Sequence, residues 1–501
     1  MTLTVVLSNT KIDIISGDEV GNTLEEVYQA VIAQDPARMN RTGTGPYIYT
    51  ISPKAGQVYC ELVISSGVKI TCEQNDTLQW SWGTTSSTYY ILDITSNSEL
   101  VVEEGFTFDF DIAGTHRGYA YFLGKITMIG TVSNYIVLKH MRSVYTYAYQ
   151  DELFQYVKYQ DSTYISGYLF YYSNYSTVST GRLIVENCIF EDTRGSYNGY
   201  IYFAYGVAPF HLVTFKNNII DHIRRGLNNY VSTVKVEGCT IKNCHDPSSL
   251  CYGSGHNIGS SYKPTKMSTG GGITHKIFQP YTYFKNCKFI DNDLGVYCSD
   301  VYYRSHVLFE DCEWEGISYS NMYALRVYYN SIAFLINPVF TNIRIPPVYP
   351  NINSKGAVLY SDWLTVNVKD DVGDPIENAV ISIIQSEDKL KLNGLTDSNG
   401  ALKNVWENNV LLPIKEEISD GVYENWANDI EGRYYEIFIS FPNKVEYYEK
   451  FTFTGEKTIE AILIDIDAAS YYIDQKLEGK ISTKNIEGSI NLITLKGKLS
   501  C

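Results

Sequence analysis

This 501-residue chain lacks several features, and each absence narrows what it can be. It has no basic excess: 40 Lys and Arg stand against 56 Asp and Glu, a formal net charge of −16. That balance excludes broad nucleic-acid binding, which needs a basic footprint, and electrostatic docking on anionic lipid. No stretch approaches the roughly 18 to 20 consecutive apolar residues that span a bilayer, so no membrane insertion is expected. The opening segment, Met1 to Thr10, has no basic region and too short an apolar run for a secretory signal. A protein made and kept in a cytosol is expected, or one exported by a route that leaves no such mark. No heptad stretch offers a coiled-coil stem.

The chain does have enough apolar residues, 44% against 19% charged, to fold around a sizeable core. Its length suits about three average domains, although solenoids run long as one. Tyrosine is the outlier, at 44 residues. Ten fall between Tyr145 and Tyr175, and Tyr197, Tyr200, Tyr202 and Tyr205 follow. A tyrosine offers a flat apolar body with a polar tip, which suits sugar stacking or a subunit interface. Strands also favour it for packing alone. Tyr145, Tyr147, Tyr149, Tyr171 and Tyr172 are therefore candidate glycan or subunit contacts.

A repeat occupies the middle of the chain. It reads Ile184-Val-Glu-Asn-Cys-Ile-Phe190, then Thr214-Phe-Lys-Asn-Asn-Ile-Ile220 and Lys235-Val-Glu-Gly-Cys-Thr-Ile241. It returns as Tyr283-Phe-Lys-Asn-Cys-Lys-Phe289, Leu308-Phe-Glu-Asp-Cys-Glu-Trp314 and, more weakly, Phe334-Leu-Ile-Asn-Pro-Val-Phe340. Its fifth positions are Cys188, Asn218, Cys239, Cys287, Cys312 and Pro338. Apolar and polar residues alternate in each unit, which is a strand pattern. A strand that returns every 21 to 30 residues, counting the long step from Cys239 to Cys287 as one or two coils, stacks on its own previous copy. The four cysteines then form an inward row of small buried thiols. Of the ten cysteines, Cys60 with Cys72 and Cys244 with Cys251 could pair, but the missing secretory signal argues against disulfides.

The repeat units resemble the rungs of the right-handed parallel β-helix of pectin-lyase-like proteins and phage tailspikes. The resemblance implies an all-β fold with a parallel β-helix over 56–360. In residues 1–55, Thr23 to Ala33 predicts a helix with one apolar face and a Thr23/Glu26 capping box, placed to cap the first coil. A docking helix for a partner is the other reading. Residues 361–468 open with Leu364-Thr-Val-Asn-Val-Lys-Asp-Asp-Val-Gly-Asp-Pro-Ile-Glu-Asn-Ala and carry a Thr396-Asp-Ser-Asn-Gly turn. These resemble the carboxypeptidase regulatory-like, immunoglobulin-like β-sandwich, a spacer or interaction domain. The spacing of Asp370, Asp371, Asp374 and Asp397 does not match a calcium loop. Residues 469–501 repeat a short strand with a central glycine every nine residues. Leu477, Ile481, Ile486, Ile490, Leu495 and Leu499 would serve as an assembly tail that adds to another subunit's sheet, or as a meander folded back on the sandwich.

Chemistry has few addresses. Glu186, Glu237 and Glu310 share one rung position with Lys216 and Lys285. An outward Lys/Glu ladder ordinarily keeps a solenoid soluble, although paired carboxylates on neighbouring coils suit glycoside hydrolysis. The signature residues of the lyases form no compact motif. The insertion between Cys239 and Cys287 carries His245 and His256, candidate surface contacts, since solenoid insertions map to one face. Zinc held by Cys244, His245, Cys251 and His256 matches no standard spacing, so no metal and no cofactor is expected. The expected function is a non-enzymatic virion part: a tail spike, fibre or capsid decoration, assembled in host cytoplasm and displayed on the virion surface. Expected partners are other virion proteins through a terminal segment, cell-surface glycans, and further copies of the chain. A polysaccharide lyase or glycoside hydrolase of the same fold is the alternative.

Overall fold

The computed structural model describes residues 3–18, 21–65, 67–83, 88–111, 117–146, 150–160, 170–174, 182–191, 201–206, 213–223, 227–229, 234–244, 251–252, 273–275, 282–292, 297–302, 306–317, 323–327, 332–344, 357–385, 390–402, 410–418, 422–425 and 434–466. Strands dominate, and the single helix among the described residues is Leu24–Ile32. Three long sheets, of nine, fifteen and twelve strands, carry most of the chain. The chain visits all three in turn. Lys69–Cys72, Thr77–Trp80 and Thr88–Ile94 make one circuit, and Glu99–Val102, Thr107–Asp109 and Arg117–Phe122 make the next. Each strand pairs in parallel with its counterpart one circuit away, as Glu99 does with both Lys69 and Lys125. The result is all-β and β-helix-like.

Alternation decides which residues face in. Leu183, Val185 and Phe190 are buried, as are Val234, Val236 and Ile241 two circuits on. Equivalent side chains stack: Tyr159 lies on Phe190, with centroids 4.4 Å apart, and Phe289 on Trp314 at 5.2 Å. Cys188, Cys239, Cys287 and Cys312 are free, fully buried thiols. Three of them keep Sγ 3.4 Å from the carbonyl oxygen two residues back and 3.4 Å from one in the preceding circuit. Asn218 replaces the thiol in one circuit. Its Oδ1 accepts from the Cys188 amide at 2.8 Å, and its Nδ2 donates to the Val185 carbonyl at 2.9 Å. A polar residue is thus accommodated because both ends of its amide are bonded. Cys60 and Cys72 are likewise free and buried, and Cys60 Sγ lies 3.0 Å from the buried Arg38 guanidinium.

The residue before each inward thiol makes the corner. Asn187, Asn217, Asn286, Asp311 and Asn337 all sit at φ between 47° and 56°, and Gly238 takes the same place at 63°. This left-handed conformation is tolerated best by Gly, Asn and Asp. It swings the chain from the second sheet into the third within two residues. The corner amides continue the ladder, as Asn187 N donates to Lys216 O at 3.0 Å and Asn286 N to Glu310 O at 3.0 Å. The 48-residue step from Cys239 to Cys287 is a single circuit, because Val234 pairs directly with Thr282. Within that insertion, Ile273–His275 joins the sheet of the C-terminal module beside Leu390–Leu392.

At the start, Thr4–Leu7 and Met39–Thr42 close two of the sheets with antiparallel pairings. The helix buries Leu24, Val27 and Val31 there, and the Thr23/Glu26 capping box is formed. At the other end the strand Ala357–Asp370 belongs to two structures at once. Ala357 to Tyr360 pairs in parallel with Ile332 to Leu335, and Leu364 to Asp370 pairs with Lys457 to Leu463 in the C-terminal module. That module encloses Val366, Val368, Ile459 and Ala461 against Ile381, Ile383, Ile437 and Ile439 from a second sheet. Tyr283, Leu308, Phe334 and Leu359, stacked on successive circuits, join the same core. The junction is therefore a shared strand and a shared core.

Two outcomes follow from this geometry. Asn187→Gly should leave urea stability nearly unchanged, while Asn187→Val should cost about 1 to 2 kcal/mol because a branched residue resists positive φ. Phe334→Ala should cost about 3 to 5 kcal/mol and split one unfolding transition into two, read by urea titration with fluorescence and circular dichroism.

Candidate functional site

The outward positions of the second sheet are occupied by matched charges. Register places Glu186, Lys216, Glu237, Lys285 and Glu310 in one column. Lys216 lies 3.7 Å from Glu237 and Lys285 lies 3.2 Å from Glu310. Gln155 precedes them and donates to Glu186 at 3.0 Å. The Glu310 carboxylate also accepts from the Tyr283 hydroxyl. These carboxylates are each turned to a neighbour in the column, and they do not converge on an open space.

The first sheet differs. Ala120, Phe122 and Val144 point into the core, so Tyr119, Tyr121 and Tyr145 between them point out. Tyr90 joins them and is 48% exposed. The rings form one cluster, with centroids 5.3 Å apart for Tyr90 and Tyr119, 5.5 Å for Tyr119 and Tyr145, and 6.4 Å for Tyr121 and Tyr145. Pairing aligns Tyr121 with Tyr145, Tyr145 with Tyr171, and Tyr171 with Tyr202. Four successive circuits thus carry tyrosine at one register position. Tyr172 pairs with Thr146 in the adjacent register.

An acidic group heads this column. Asp93 pairs with Tyr121 on one side and Val63 on the other, and Val63 pairs with Asp13. Lys11 and Glu61 lie beside them as an ion pair at 3.0 Å, and Ser65 donates to Asp13 at 2.6 Å. Asp93 Oδ1 is buried without a hydrogen-bond partner. Burial first, and then the charges of Glu61 and Asp13, push the Asp93 carboxyl up to about 6, against the opposing pull of Lys11. Bonding to Glu61 raises the Lys11 ammonium above its ordinary value. The arrangement combines a proton-holding acid, two further carboxylates and an aromatic platform.

Of the residues singled out in the sequence, Tyr145 lies in the cluster, and Tyr171 and Tyr172 have backbone positions beside it. Tyr147, Tyr149, His245, His256 and the tail residues Leu477, Ile481, Ile486, Ile490, Leu495 and Leu499 lie outside the described residues. Tyr90, Tyr119, Tyr121 and Asp93 escaped the sequence reading, which placed the aromatic face at 145–205. A signal was present in Gly118-Tyr-Ala-Tyr-Phe122, where tyrosine falls at alternating positions, whereas Tyr89-Tyr-Ile-Leu-Asp93 shows no such alternation. Among the described residues no group of three His, Cys, Asp or Glu is placed to hold a metal ion, and no helix is long and apolar enough to cross a membrane. No protein-family model matches the chain, and no curated protein or solved structure matches it.

Asp93 gives a pH signature. Its folded value lies above the ordinary carboxylate range, so its contribution to stability is present below about pH 4 and is lost as pH rises through about 6. Asp93→Asn should flatten the melting temperature across pH 4 to 7 and raise it at pH 8, as read by differential scanning fluorimetry.

Proposed function

We propose that the chain is a non-enzymatic exterior component of a phage or virus particle, such as a tail spike, fibre or capsid decoration. In this reading the parallel stack is a right-handed parallel β-helix of the pectin-lyase-like or tailspike-like kind. Right-handed crossovers dominate such connections. The C-terminal module is an immunoglobulin-like, carboxypeptidase regulatory-like sandwich, and a terminal segment anchors the protein to other virion proteins as an oligomer. The observation that carries the reading is the shared strand Ala357–Asp370 with its shared core, a continuous junction of stack and module that suits a part projecting from a particle. Free buried thiols suit assembly in a host cytoplasm. The outward charges of the second sheet are spent on inter-circuit pairs, which suits solubility better than catalysis. The tyrosine cluster supplies the working surface for adhesion.

One observation favours a second reading, a polysaccharide depolymerase. Asp93 holds its proton to about pH 6 beside Asp13 and Glu61, as a general acid must. Two measurements separate the readings. Immunogold labelling of particles purified from the producing host should mark their exterior; label confined to the particle-free lysate overturns the exterior assignment. Incubation with polysaccharides should release no reducing ends or unsaturated uronates. Release that disappears in Asp93→Asn establishes the depolymerase instead.

A further inference from the structure

Resting on the adhesive reading above, we infer that the tyrosine cluster of the first sheet binds an extended, neutral polysaccharide whose chain crosses the strands from circuit to circuit. The first argument is pitch. Tyr121 and Tyr145 occupy one register position on successive circuits, and backbone pairing carries Tyr171 and Tyr202 on at that position. Neighbouring parallel strands lie about 4.8 Å apart, close to the advance of one pyranose in an extended chain. Successive sugars would therefore meet successive tyrosines without either partner changing its repeat.

The second argument is chemistry. A pyranose has an apolar C–H face and a rim of hydroxyls. Tyrosine matches both, with its ring under the face and its phenol at the rim. Tyr90, the most exposed of the four rings at 48%, offers the leading contact. The third argument is charge. Asp13, Glu61 and Asp93 stand at one end of the column with Lys11 beside them, and the whole chain carries −16. Carboxylates accept sugar hydroxyls but repel carboxylated or sulfated sugars. The same charges disfavour a second copy of this chain as the occupant. A two-fold interface buries the same patch on both subunits, and this patch would place both acidic groups in the contact.

The test uses the full-length chain in native affinity gels containing dextran, mannan or mixed-linkage β-glucan, with polygalacturonate as the acidic comparison. At least one neutral polymer should retard the protein, and polygalacturonate should not. Tyr90→Ser, at the most exposed ring of the cluster, and Tyr145→Ala should each weaken retardation roughly tenfold while the urea midpoint of each variant confirms that it is folded. Tyr145→Phe should restore it, and Tyr448→Ala in the C-terminal module should leave it unchanged. The inference is overturned if no neutral polymer retards the protein, if polygalacturonate retards it equally, or if Tyr90→Ser binds like the parent. It is also overturned if Tyr90→Ser dissociates an oligomer in sedimentation while sugar binding persists. Particle labelling without retardation defeats this inference alone; retardation without particle labelling defeats only the exterior assignment.

Discussion

A strand that meets its own counterpart one circuit later must keep register, and the rest of the structure depends on that constraint. The side-chain period of a strand is two, so a slip of one residue would turn every core residue outward. Alternation alone leaves the slip free to occur in a stack of short strands, many of only three or four residues. The corners hold it. From Cys188 to Cys312 a left-handed Asn, Asp or Gly stands between the second and third sheets, and the inward thiol or Asn218 follows at once. The corner amide then bonds to the next circuit, so the turn and the ladder specify the same alignment.

Register also explains the outer faces. In-register stacking puts each side chain directly against its equivalent, so a column of one charge would repel itself along its whole length. The column from Glu186 to Glu310 answers by alternating acid and base, and Lys69, Glu99 and Lys125 do the same near the start. The solvated pairs among them are each worth little alone. Their effect is to remove a penalty that stacking would otherwise impose. Tyrosine meets the constraint differently. It carries no charge at neutral pH, and like-on-like contact between rings is favourable, so it can occupy one position over several circuits.

The repeat was legible because it is written in residue types that few other structures need together. An alternating strand, then Asn or Asp, then a small apolar residue, states both the strand and the corner. Thr23 and Glu26 announced the helix start as plainly. Less legible was the junction. Tyr283-Phe, Leu308-Phe and Phe334-Leu each put two large apolar residues side by side where earlier units alternate. That break in pattern is the mark of a face covered by another module, yet it reads from one sequence as loose variation. The aromatic cluster was legible by composition in part: Tyr145 was singled out, while Tyr90, Tyr119 and Tyr121 were not. Counting tyrosines favours 145–175, whereas exposure depends on phase within the strand. Tyr159 falls in the inward phase and is fully buried, while Tyr90 falls in the outward phase.

Asp93 illustrates what no local pattern can state. Its carboxyl is raised first by burial within the stack and then by the charges of Glu61 and Asp13, which lie 32 and 80 positions earlier in the chain and reach it only through stacking. A solenoid assembles such groups by adding one residue per circuit, and a single substitution in any circuit changes the column. The same economy applies to the tyrosines below it. Lengthening or shortening the tyrosine column requires only that one more or one fewer circuit carry tyrosine in the outward phase, with no change to the core that holds the register. The face can therefore vary independently of the fold.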